Sequence, residues 1–279
     1  MRDTIIFSGA SHTFGLGLEW ELDPELNSEE YLQKGIHIPI PRLAHYQKYW
    51  RENRWPTLVC NELGYKQFNI HDEENKKEFS LKIGGNAVET IYSLVKNEKW
   101  LKQLIGKTKY VIFEVGHIRW FDETLHGSAD GYKYPNTVLE IIEVINNPNT
   151  DNEVLAKTLE WLSKVDMNVY TIELMKKIKF LQEEYKEITF LVLPWHAGHD
   201  SITNYKDINI IDVIHNKTRY PEVNNFLQRN SLQVHHKAKA FNGNYKYNYR
   251  EDHASIEGHK CVAEMVINYI KKLENDTNR

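Results

Sequence analysis

Three short stretches of the chain are apolar on both alternating faces: Thr4–Ser8, Lys109–Val115 and Ile188–Leu193. Each is rich in β-branched or aromatic residues, the signature of strands buried on both sides in a parallel sheet. Lys66–Ile70 is a weaker fourth run and Ile208–Ile214 a fifth. Between them the apolar positions change to helical spacing. Trp55 to Gly64 carries Pro56 near its start and glycine at its end, as helix termini prefer. Val138, Ile141, Ile142 and Ile145 recur at helical intervals, as do Val154, Leu155, Leu159 and Leu162, and then Ile172, Met175, Ile178 and Leu181. The clearest stripe is the last, formed by Val262, Met265, Val266, Tyr269, Ile270 and Leu273 with Lys and Glu opposite. Strands alternating with helices of this length predict an α/β fold with a parallel sheet. No repeat and no Pro-, Gly- or Ser-rich linker divides the chain, so residues 1–279 are expected to form one domain. Asp72–Phe79 reads as a solvated charged loop and Asn146–Asn152 as a turn between helices.

Composition narrows the function. With 35 Lys and Arg against 39 Asp and Glu, the net charge is −4. A mainly electrostatic nucleic-acid binder would show a basic excess, so nucleic acid is not an expected partner. Cys60 and Cys261 stand far apart among apolar residues, the pattern of two inert thiols rather than of a disulfide framework or a metal site. No stretch is long and apolar enough to span a bilayer and no signal peptide is visible, so no membrane partner and a cytoplasmic location are expected. The unusual counts are 13 His, 7 Trp, 16 Tyr and 10 Phe, which point to a polar, aromatic-rimmed cleft.

Three segments hold residues suited to chemistry. The first strand runs into Gly9-Ala10-Ser11-His12, and ligands of parallel sheets bind beyond the carboxyl ends of the strands. Ser11 there is either an exposed nucleophile or the cap of the next helix. Gly84-Gly85-Asn86 suits a tight loop presenting a backbone N–H and a side-chain amide, or a plain turn. Arg250-Glu251-Asp252-His253 precedes Ala254-Ser255-Ile256-Glu257-Gly258-His259 at the start of the last helix. A histidine beside carboxylates can act as general base; the alternative is a polar loop in which Ser255 or Glu257 caps the helix.

In this order the three segments resemble the SGNH/GDSL hydrolase family. Gly9-Ala10-Ser11 is similar to its Gly-x-Ser block, Gly85 to its oxyanion glycine, and His253 to His259 to its His-x-Ser-x-x-Gly-His tail. Arg54-Trp55-Pro56-Thr57-Leu58-Val59 resembles the first long helix of a subgroup met in marine bacteria and phages. The resemblance implies a flavodoxin-like three-layer α/β/α sandwich and a serine esterase that needs no cofactor. Its substrate would be an O-acyl carbohydrate or a small ester. Ser11 would be the nucleophile and His253 the base, with Asp252 or Glu251 orienting the imidazole. The N–H groups of Ser11 and Gly85, with Asn86, Arg119 or His117, would hold the oxyanion. His12, His117, Trp195, His196 and His199 would line the substrate cleft.

The chain departs from the family pattern at three places. Ala10 stands where the family has Asp, and Arg250 stands where an Asp precedes the histidine. The third block reads Gly116-His117-Ile118-Arg119 and has no Asn. A catalytically silent carbohydrate-binding or structural module, for example on a phage particle, is therefore a competing expectation. A further one is a metal-dependent hydrolase built on His196, His199 and Asp200, because histidine and aspartate are usual zinc ligands.

Overall fold

The computed structural model describes residues 2–9, 13, 15, 18, 21, 48–70, 72, 104–115, 144–164, 167–195, 207–236 and 249–277. Strand β1 (Thr4–Ser8) is followed by helix α1 (Trp55–Leu63), β2 (Lys66–Asn69) and β3 (Thr108–Val115). Helices α2 (Asn152–Lys164) and α3 (Met167–Glu184) lead to β4 (Thr189–Pro194) and the short β5 (Asn209–Ile210). These five strands form one sheet in the order β2-β1-β3-β4-β5, with every pairing parallel. That is the flavodoxin-like order, in which the chain winds to opposite sides of β1.

Alternation along the strands divides the interior into two halves. Ile5, Phe7, Tyr110, Ile112, Leu191 and Leu193 pack with Trp55 and Val59 of α1 and with Val262, Val266 and Ile270 of the C-terminal helix. Ile6, Val111, Phe113, Phe190 and Val192 pack with Leu174, Met175, Ile178 and Leu181 of α3. Helices thus cover both faces, and the layers are α, β and α. The Phe7 and Trp55 rings meet edge to face at 5.2 Å, while Phe113 and Phe190 stack at 6.1 Å on the other side.

Local chemistry explains the helix ends. Gly64 closes α1 at φ 72°, a left-handed conformation that a Cβ would strain. Asp151 opens α2 by accepting from the Glu153 and Val154 amides at 2.8 and 3.2 Å. Cys60 and Cys261 are free and buried, as the sequence predicts. Among the described residues no helix is long and apolar enough to cross a membrane.

Two expectations change. The predicted strand over 208–214 is broken: β5 covers two residues, and Ile214–His215 (β6) belongs to a separate hairpin with Thr218–Arg219 (β7). Asn216 and Lys217 form its two-residue turn at φ 47° and 64°, and positive φ at both positions gives the twist that antiparallel strands require. After α4 (Val223–Arg229) comes β8 (Gln233–His236), which pairs antiparallel with β9 (Tyr249–Ala254) outside the main sheet. The segment for which a polar loop was the alternative reading is therefore a strand in its first half. Its charged sequence hides this, because ladder hydrogen bonds to β8, not apolar alternation, hold it. Helix α5 (Ile256–Thr277) completes the chain.

Candidate functional site

The carboxyl edge of the sheet brings together Ser8 at the end of β1 and Gly9 after it, Asn69 at the end of β2, Glu114 and Val115 at the end of β3, and Trp195 after β4. Glu114 is the exceptional residue. It is an acid that follows the apolar run Tyr110–Phe113 of its strand and is 2% exposed. Its Oε2 accepts from the hydroxyl of Thr13, and the Thr13 carbonyl accepts from Asn69 Nδ2 at 3.1 Å. A Cβ on Gly9 would lie 2.6 Å from Glu114 Oε2 and 2.8 Å from its Cβ, so only glycine fits. Gly9 and Thr13 flank Ala10, Ser11 and His12 in sequence. The buried polar group thus fixes the chain on both sides of the serine.

On the same face, α1 starts at Trp55, preceded by Arg54. The Arg54 side chain is 2% exposed and binds Asp72 through two parallel bonds of 2.7 and 2.9 Å. Asp72, expected in a solvated loop, is instead the partner of a buried guanidinium. Arg54 gives α1 no side-chain cap. The N–H of Trp55 goes to Nδ1 of His259, one turn into α5, at 3.2 Å.

The segment from His253 to His259 is held at several points. Ser255 caps α5: its Oγ accepts from the Gly258 N–H at 3.1 Å and donates to the Leu232 carbonyl at 2.8 Å. The Ser255 N–H reaches the same carbonyl at 2.8 Å. Glu21 accepts from the Ile256 N–H at 2.7 Å, which places a carboxylate at the positive end of the helix dipole. A Cβ on Gly258 would come within 2.5 Å of the Leu232 carbonyl oxygen. His253 is 8% exposed and His259 fully buried. Burial, with the neighbouring His253 and then Arg54, pushes the His259 imidazole down to about 3.

Of the residues singled out by sequence, His253 lies in this cluster. Glu251 and Asp252 belong to β9, but their side chains lie outside the described residues. Ser11, His12, Gly85, Asn86, His117, Arg119, His196, His199 and Asp200 also lie outside the described residues. Trp195, expected to line the cleft, is 0% exposed and packs in the core with Leu193 and Val223. Its position just past a strand end suggested the cleft, but the α1 side of the sheet covers it. Among the described residues no group of three His, Cys, Asp or Glu could hold a metal ion. Glu114, Thr13, Asn69 and the Arg54–Asp72 pair were not anticipated. The signal for Glu114 was a glutamate near the end of an apolar run, which periodicity alone does not interpret.

Compared with family models, with curated proteins and with solved structures, the chain matches none.

Proposed function

We propose that this protein is a serine ester hydrolase of SGNH type acting on an O-acyl carbohydrate or a small acyl ester. One observation carries the reading. His253, the base expected from the tail motif, is buried beside His259, whose imidazole binds the first amide of α1; Trp55 there packs on Phe7 of β1, the strand that runs into Gly9-Ala10-Ser11. In this reading Ser11 Oγ attacks the acyl carbon while His253 takes the hydroxyl proton. His253 then gives that proton to the departing alcohol, and water releases the acyl group by the same steps in reverse. Backbone N–H groups of Ser11 and Gly85, with Asn86, Arg119 or His117, stabilise the oxyanion. Glu251 or Asp252 orients His253.

Hydrolysis of p-nitrophenyl acetate by wild type and Ser11→Ala tests this. The variant is expected to fall by about a thousandfold or more, because the pathway through the serine is removed. Equal rates would overturn it.

The absence of Asn from Gly116-His117-Ile118-Arg119 favours a second reading, a catalytically silent binding or structural module. Loss of one oxyanion donor typically lowers turnover by about a hundred- to thousandfold. A fluorophosphonate separates the two readings: only an activated serine is labelled, and a silent module leaves Ser11 unmodified.

A further inference from the structure

His259 is a buried titratable group that the proposed mechanism does not use. Its Nδ1 accepts from the Trp55 N–H at 3.2 Å, so the proton of the neutral ring is on Nε2. That Nε2–H finds no acceptor among the described residues, although the ring is 0% exposed. The His259 N–H in turn donates to the Ser255 carbonyl at 2.8 Å, and the Ser255 N–H and hydroxyl both bind the Leu232 carbonyl. Ser255 is two residues from His253. The short segment carrying His253 is therefore suspended between the Leu232 carbonyl and the first amide of α1.

Resting on the esterase reading, we propose that His259 is a positioning residue for His253, fixing the base by binding the N-terminus of α1 as a permanently neutral Nε2–H imidazole. The geometry requires neutrality. A proton on Nδ1 would face the Trp55 N–H, donor against donor, at the positive end of a helix. The elements packed around the ring carry further groups. They are Arg54 with its partner Asp72, His253 on β9, Glu21 on the Ile256 N–H, Cys60 lower in α1, and His215 on β6, whose ring lies against Phe226 at 5.2 Å. Arg54 and a protonated His253 both oppose a charge on His259, and burial opposes it more strongly. This division of labour suits the chemistry. Two imidazoles that both took up protons would oppose each other, whereas a neutral His259 leaves His253 alone to become the imidazolium.

Two variants and the wild type test this role. Asn at 259 keeps an acceptor at the position of Nδ1, and Phe keeps a ring but removes the acceptor. Nitrogen-15 NMR of wild type is expected to show His259 as the Nε2–H tautomer, unchanged between about pH 8 and 5. Fluorophosphonate labelling of Ser11 is expected to slow by about a hundredfold in His259→Phe, the effect of misplacing a catalytic group by about an ångström. His259→Asn is expected to recover most of the rate. A His259 ring that titrates in that range or bears its proton on Nδ1 overturns the proposal, and this measurement needs no folded variant. Wild type that labels, with a folded His259→Phe labelling equally fast, removes the role alone. Wild type that does not label removes the esterase reading and this role together.

Discussion

Two glycines show how a single atom decides local structure in this chain. Gly9 has Glu114 where a side chain would go, and Gly258 has the Leu232 carbonyl 2.5 Å from the position of a Cβ. Neither case involves a turn; each is a close approach of two chain segments. Gly258→Ala must displace β8 or the first turn of α5, and a destabilisation of about 1–3 kcal/mol is expected. Denaturant unfolding of the purified variant measures it, and a midpoint equal to wild type would show that Leu232 yields freely. The Arg54–Asp72 pair makes the same point for charge. Asp72→Asn leaves a buried guanidinium with neutral partners only, and a loss of about 3 kcal/mol is expected in the same measurement.

Helix α5 is amphipathic along its length, and that stripe is plain in the sequence. Its start is less so. Ser255 both caps the helix and ties it to the end of α4 and the approach to β8, through the Leu232 carbonyl. Ser255→Ala removes the cap, and a loss of about 1 kcal/mol is expected in thermal unfolding, while the Leu232 carbonyl keeps the backbone N–H of residue 255. Strand β9 is the opposite case. Its residues, Tyr-Arg-Glu-Asp-His-Ala, have no apolar alternation, and the register shifts between Gln233 and His235 where it meets β8. A bulged, polar two-stranded ribbon has no period for a sequence pattern to reveal.

At the scale of the whole molecule, Glu274 and His259 both contribute to the response to acid. At the amino-terminal edge of the sheet, Glu274 Oε1 accepts from Lys109 Nζ at 2.6 Å, Tyr65 Oη at 2.7 Å and Tyr110 Oη at 3.0 Å, pinning the far end of α5 to β3. Burial raises the Glu274 carboxyl, but the bonds from Lys109, Tyr65 and Tyr110 outweigh it and hold the group below its ordinary 4.5. This stabilisation is therefore complete above 4.5 and is lost as the pH falls through the lower native value. His259 acts over a higher window. The unfolded chain takes up a proton below the ordinary 6.5, whereas the native ring stays neutral down to about 3. Stability falls across that interval, by about 2 kcal/mol at about pH 5. Unfolding of His259→Asn measured from about pH 7 to 3 is expected to lose the slope between about pH 6.5 and 5 while keeping the fall below 4.5. Glu274→Gln should do the reverse, and an unchanged slope in either variant would contradict its assignment.

The apolar runs and helical stripes along the chain were enough for the α/β class, for the parallel strands β1 to β4 and for helices α1, α2, α3 and α5, because burial of apolar surface imposes the same periods wherever it acts. The tail block made His253 a candidate, since a histidine near a helix start is visible without a fold, and the structure adds that it is buried. Tertiary structure alone decided which polar residues are buried together. Glu114 meets Thr13, Asp72 meets Arg54, and His259 meets the first amide of α1, each across a long stretch of chain. It also moved Trp195 from an expected cleft into the core. Such pairings follow no local period. They depend on which strand lies beside β1 and which helix covers it, and these are settled only when the sheet is assembled.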